Sequence, residues 1–412
     1  MKILFYYPAQ RYAFISSGVH MAEVFNYLIS HGHVILYANG KQHDFYDPLT
    51  ADTEITEQPG RKTIIFKVKQ YLLHSPFRGG ITLLYDFFKE MLCFVSAFRT
   101  SLRQKPELIY RRWGYPNIFG SEYLLAKLFK LSVIEEVHGI AANEIKISKR
   151  LDKCTIKAID LLERRNIKKA DKYIVVTSTL KDVLHNDYGI PEDKIIVIEN
   201  GANVDLFKPM DTVQAKNAIE LDKNTSYICY SGNFARYQGI EYLIRVIPEI
   251  TRQLPNVKAI LVGDGEMRDE LQELVEELDI SEKVIFIGKV PYSKVPLYIN
   301  AGDVCVVPKK PLLSGYSPLK LYEYMACGKP IVATRTYGFE ILKERKAGLL
   351  VNPEDSEEFS KALIKLLKDN KLRTLMGNNG RQYVVENHSW ESISQKVAQV
   401  CHDTLKEYND LR

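Results

Sequence analysis

Short, continuous runs of β-branched and aliphatic residues alternate with longer amphipathic segments along the whole chain, and this rhythm constrains the fold more than any other feature. In the first half the runs are 2–7, 33–37, 63–68, 108–110, 133–137, 173–177 and 195–198; in the second they are 227–230, 258–262, 284–287, 304–307, 331–333 and 349–351. Most lack the apolar/polar alternation of a half-exposed strand, as a parallel sheet covered on both faces requires. Helical patterns at 19–31, 239–253, 267–278 and 318–327 lie between them, so the pattern predicts an α/β, doubly wound architecture. It occurs twice, since the strands opening at Met1 and at Tyr227 each lead into a glycine-containing loop and a helix.

At 412 residues the chain exceeds what one core serves, and two Rossmann-like domains facing across a cleft are expected. The expected boundaries are 1–203 for the first, 204–388 for the second, and 389–412 for a helix returning to the first. Residues 203–225, with Pro209 and a polar run, read as the link. With 46% hydrophobic and 26% charged residues the composition excludes disordered and fibrous classes. The most apolar stretch, 81–98, carries Asp86, Lys89 and Glu90, which argues against a membrane span. The first residues lack a signal-peptide cleavage pattern, so a cytoplasmic location is expected. Six cysteines stand singly with no C-x-x-C pair and read as reduced packing residues.

The formal charge is +5, and all of the excess falls in the first 205 residues, with 28 Lys+Arg against 23 Asp+Glu. Much of it lies between Lys146 and Lys172. A solvated helix face and a surface for anionic headgroups both fit, and peripheral contact with the inner face of the membrane is the second reading. Nucleic acid is disfavoured because no aromatic-basic platform accompanies the charge. The apolar stripe 83–98 likewise reads either as core or as a membrane-interface helix.

The chain has no G-x-x-x-x-G-K-[ST] loop, no G-x-G-x-x-G after the first strand, no H-E-x-x-H and no G-x-S-x-G. Nor does a D-x-D pair sit at a strand end to hold a metal against a diphosphate, so no metal or other cofactor is expected. The richest segment is 314–330. Ser317 reads as an N-cap and Pro318 as the first helical residue, followed by Leu319 and Lys320, so that amides and an ammonium group face an anion. Glu323, three residues beyond Lys320, either pairs with it along the helix or accepts hydrogen bonds from a ribose diol. Three glycine loops end consecutive strands: 231–239 with Gly232, Asn233, Arg236 and Gln238; 262–266 with Gly263 and Asp264; and 286–291 with Val290. Together they predict a binding rim.

These segments, with Ala170–Ser178, Ile198-Glu199-Asn200-Gly201 and Phe207-Lys208-Pro209, resemble the family-4 glycosyltransferases of the GT-B fold. The resemblance implies a retaining enzyme that transfers a sugar from a nucleotide diphosphate sugar to an acceptor hydroxyl, in surface polysaccharide or glycolipid assembly. It implies that Glu323 holds the ribose, that base contacts are largely backbone around Val290, and that the Gly18 loop approaches the donor phosphates. His138 and Gly139, ending a strand, fall where this family places its acceptor-side histidine, with Arg112 and Tyr115 as further acceptor-side candidates. The sequence departs from the pattern at three places: the family's first glutamate falls on Gly315, and its diphosphate-binding arginine and lysine fall on Asn233 and Gln238. Lys320 is the candidate replacement cation and Arg236 the second. A nucleotide-sugar epimerase and a catalytically silent sugar-nucleotide-binding subunit are the alternatives.

Overall fold

A computed structural model describes residues 1–6, 17–37, 78–113, 118–140, 152–310 and 319–410. Contacts divide the chain into two units: the N-terminal part up to Ile198 forms the first together with Ser394–Arg412, and Glu199–Ile393 forms the second.

The first unit holds six strands, β1 (Lys2–Tyr6), β2 (Val34–Tyr37), β3 (Leu108–Trp113), β4 (Ser132–Val137), β5 (Lys172–Val175) and β6 (Ile195–Val197). They form one sheet in the order β2-β1-β3-β4-β5-β6, paired parallel throughout. The second unit repeats the plan with β7 (Ser226–Ser231), β8 (Val257–Val262), β9 (Val284–Gly288), β10 (Val304–Val307), β11 (Ile331–Thr334) and β12 (Gly348–Val351). Its order, β12-β11-β10-β7-β8-β9, reverses between β7 and β10. In doubly wound sheets that switch point is where ligands bind, beyond the carboxyl ends of the strands. The expected strand at 63–68 lies outside the described residues.

Burial explains the unbroken apolar runs. Ile228, Tyr230, Ala259, Leu261, Val304 and Val306 face a core completed by Leu243, Ile244 and Ile247 of the Ile240–Gln253 helix. Cys229, Ile260, Cys305 and Val307 face another, closed by Leu321, Tyr322 and Met325. All six cysteines are free; four are buried and Cys93 partly so, but Cys154 is exposed and does not pack. The expected link at 203–225 carries a helix, Thr212–Ala218, because Asp211 caps it by accepting the Gln214 N–H at 2.9 Å.

The first unit buries an ion cluster. The Arg111 guanidinium of β3 donates to Glu122 and, at 3.2 Å, to Glu135 of β4, and Tyr123 donates to Glu135 at 2.8 Å. Burial pushes the Glu122 and Glu135 carboxyls up to about 8 and about 7, against the opposing pull of Arg111. Raised carboxyls hold protons more tightly in the folded chain than their ordinary value of 4.5 allows, so stability falls as pH rises from about 4.5 to 8. Glu122→Gln is therefore expected to flatten the dependence of Tm on pH between 5 and 8.5. Parallel melting curves for variant and parent would refute the assignment.

Candidate functional site

At the switch point of the second sheet, three loops meet. Gly232 follows β7 with φ 143°, its N–H donating to the Val262 carbonyl at 2.8 Å. The Gly263 N–H donates to the Gly288 carbonyl at 2.8 Å and the Phe234 N–H to that of Asp264 at 2.9 Å, so the three glycine loops are tied edge to edge. A Cβ on Gly263 would overlap the Gly232 carbonyl, and one on Gly265 would overlap the Asn233 side chain. The Asp264 carboxylate accepts the Gly265 N–H at 2.9 Å, and Val290 follows β9, half-buried.

Lys320 stands in the first turn of the Leu319–Ala326 helix, and Tyr324 anchors that helix by accepting the Ser231 N–H at 2.7 Å. The Lys320 ammonium lies over the Tyr230 ring, 3.9 Å from its centroid, and donates to Gln238 Oε1 at 3.1 Å. It rests against Gly232, where a Cβ would come within 2.6 Å of Nζ. Gly232→Ala is accordingly expected to cost about 1–3 kcal/mol by chemical denaturation, because it strains both φ and this contact. In a Lys320→Ala background only the φ strain remains, so a smaller loss is expected there.

Burial, with the charge of Lys309 adding to it, holds the Lys320 ammonium well below the usual lysine range, and Glu323 opposes. Lys309 follows β10, is 8% exposed, and is pulled down to about 7 by burial. The two lysines are thus near enough at the end of β10 and the start of the Leu319–Ala326 helix for the charge of one to act on the other. Glu323 accepts from Tyr292 at 2.9 Å, and burial pushes its carboxyl up to about 7 against that bond and the Lys320 charge. Lys320 and Glu323 therefore have separate hydrogen-bond partners, unlike an ordinary helix pair. Arg236 is ion-paired with Glu270 at 2.6 Å on the exposed surface, and Asn233 is also exposed. Gly315, Ser317 and Pro318 lie outside the described residues.

A second cluster lies in the first unit. Glu136 ends the inner part of β4 with its carboxylate wholly buried; Oε1 meets Nε2 of both His138 and, at 2.8 Å, His20, and Oε2 accepts from Tyr110. The His20 and His138 rings meet edge to face at 5.0 Å. Burial opposes ionisation of Glu136, but the two imidazoles hold it well below the usual carboxylate range. Burial and the Arg112 charge pull His138 down to about 3 although Glu136 opposes. The consistent state is an ionised carboxylate receiving Nε2–H from a neutral His138, which leaves Nδ1 as the acceptor. Such a group is a weak base and a good orienting acceptor. A metal held by these three side chains at about 2.0–2.2 Å would need them spread wider than 2.8 Å, so their spacing is that of hydrogen bonds.

His20 stands two residues after Gly18, in the first turn of the Ser17–Ser30 helix, which brings that turn to His138; Gly139 follows, half-buried. Tyr115 lies outside the described residues. Lys309, His20, Tyr110 and Glu136 were not singled out from sequence, although an acidic pair inside the apolar strand Val-Ile-Glu-Glu-Val was a signal that partners must exist.

Two parallel six-stranded sheets, one in each unit, define a two-domain, doubly wound α/β protein. The description "Glycosyltransferase Family 4" matches residues 17–206 and "Glycosyl transferases group 1" matches 211–383. An uncharacterized glycosyltransferase of Methanocaldococcus jannaschii is 29% identical over 287 residues, covering 68% of this chain and 72% of the relative. Among solved structures, sucrose-phosphate synthase from Thermosynechococcus elongatus aligns with a TM-score of 0.72 at 20% identity, over 98% of this chain and 99% of that one. HepE from Anabaena, in complex with UDP, aligns at 0.68 and 17% identity, over 98% and 100%. The chain belongs to the family-4 glycosyltransferases of the GT-B fold and is a glycosyltransferase enzyme.

Proposed function

We propose that the second unit binds a nucleotide diphosphate sugar at the β7–β10 switch point and that the sugar is transferred, with retention, to an acceptor hydroxyl in surface polysaccharide or glycolipid assembly. The observation that carries this reading is the Lys320 ammonium seated against Gly232 beside the buried Lys309, an arrangement suited to a diphosphate. In this reading Glu323 takes the ribose diol, and backbone amides of the glycine loops and the two lysines neutralise the leaving group without a divalent ion. The acceptor oxygen bonds to the anomeric carbon as the carbon–phosphate-oxygen bond breaks, and the acceptor proton passes to the departing phosphate. His138 orients the hydroxyl through Nδ1. A likeness to HepE, which was solved with UDP and with UDP-glucose, supports the donor class.

Thermal shift with UDP-, GDP- and TDP-sugars, followed by nucleotide release against an acceptor panel with and without EDTA, tests the reading. Donor-dependent stabilisation and chelator-resistant release are expected. Conversion of donor without acceptor would point to an epimerase, and binding without release to a silent subunit. Glu323→Ala is expected to weaken donor binding by roughly tenfold or more, as the loss of a charged acceptor requires.

A further inference from the structure

The Arg78–Gln104 helix, about 40 Å long at 1.5 Å per residue, resolves into two faces that the sequence left undecided. Its inner face carries Ala97, Phe94 and Phe98 into the core of the first unit, together with both of its acids. Asp86 is 7% exposed, and Glu90, 1% exposed, accepts the N–H groups of Phe119 and Ser121 at 3.2 and 2.9 Å. The outer face carries Leu84, Phe87, Phe88, Leu92, Val95 and Leu102, with Leu92 73% and Phe88 59% exposed. Arg99 and Arg103 stand among them, and no described exposed position of this helix is acidic.

The neighbouring Lys153–Asn166 helix shares a small apolar cluster with the first, in which Leu83 of one and Ile156 and Leu162 of the other pack against the buried Ile118 and Ile159. It exposes one row, Lys153, Lys157, Leu161 and Arg165, in which the leucine is 70% exposed. Two adjoining helices thus display leucine and phenylalanine side chains among Arg99, Arg103, Lys153, Lys157 and Arg165, with Asp160, which pairs with Arg164 at 3.0 Å, and the capping Asp152 as the acids on that side, on the unit that carries the chain's whole positive excess. No described helix is long and apolar enough to cross a bilayer. An apolar face of this kind with basic residues along it is the pattern of a helix lying in the plane of a membrane surface, its aromatics at acyl depth and its cations among the headgroups. A protein partner with an ordinary mixed surface would leave several of these cations unmatched.

We propose that the outer faces of the Arg78–Gln104 and Lys153–Asn166 helices form a docking surface for an anionic lipid bilayer. The surface binds lipid whether or not the transferase reading holds, because none of its residues belongs to the strand-end clusters.

Co-sedimentation of the full chain with phosphatidylcholine vesicles and with vesicles containing 30% phosphatidylglycerol tests this. Binding at least tenfold stronger to the anionic vesicles is expected, falling as salt is raised. Phe88→Ser combined with Leu92→Ser is expected to lower it at least tenfold. Arg99→Gln with Arg103→Gln is expected to lower it by about fivefold per arginine while reducing its salt dependence. All four positions are exposed, so melting temperature and any nucleoside diphosphate binding should match the parent and confirm folded variants. Equal binding by parent and by the Phe88/Leu92 variant would overturn the proposal. So would failure of the parent to bind anionic vesicles, or self-association in solution that the same variant abolishes, which would assign the surface to a second copy of the chain.

Discussion

Lys320→Ala is expected to lower the affinity for a nucleoside diphosphate by roughly 10- to 150-fold, the range that follows from losing one charge-assisted hydrogen bond. The corresponding nucleoside, which has no phosphate, should bind parent and variant alike. The pH dependence is more specific. Burial and the Lys309 charge keep Lys320 well below the usual lysine range, and burial brings Lys309 to about 7, so above neutrality the empty rim holds less than its full charge. A bound diphosphate raises both values and the complex takes up protons, so affinity must fall as pH rises from 7 to 9, by up to about tenfold per unit for each proton taken up. Calorimetry in buffers of different ionisation enthalpy reads the protons directly. Lys309→Met should remove the proton taken up at that position and flatten the slope. Undiminished diphosphate affinity in Lys320→Ala would sink the site.

Arg111→Leu is expected to cost about 3–5 kcal/mol of stability, because Glu122 and Glu135 would then lie wholly buried without their guanidinium partner. Here too the pH matters. Both carboxyls are pushed upward by burial, to about 8 and about 7, so near pH 6 they escape much of the penalty by keeping their protons. Urea denaturation should therefore show a larger loss at pH 8.5 than at pH 6. A triple variant with leucine at 111, 122 and 135 should recover much of the loss, since apolar groups replace the ion cluster as a set. An equal loss at both pH values would mean that packing, and not charge, dominates the site.

The parallel sheets were readable because a strand covered on both faces is written as one apolar run. β7, β8, β10 and β12 depart by no more than a residue at either end from the runs 227–230, 258–262, 304–307 and 349–351. Short helices were harder. The Thr212–Ala218 helix hid behind Pro209 in a polar stretch, and only the capping Asp211 marked it. The Arg78–Gln104 helix could not be assigned to core or surface from its pattern, since it is apolar on both sides and only the burial of Asp86 and Glu90 shows which side faces in. The glycine loops, Lys320, Glu323 and His138 stood out because a glycine at a strand end and a charge at a helix start are local signals. Lys309, His20 and Tyr110 were not legible. Their part in each cluster comes from pairing across strands and helices far apart in sequence, and nothing beside them in the chain announces it. Arg236 shows the converse: a cation placed suggestively in a loop is paired on the surface with Glu270.

The first unit is discontinuous. The Trp390–Asp410 helix, which belongs to it from Ser394 onward, sends Glu407 to Lys172 at 3.1 Å, sets His402 against His33, and buries Cys401. A ribosome delivers all of residues 199–393 before it delivers this piece, so the later unit in sequence has its full complement of residues first. The earlier one must wait, partly assembled, with the seat for Cys401 and Val397 still exposed, and the longer residues 199–393 take to emerge, the longer that apolar seat is open to aggregation.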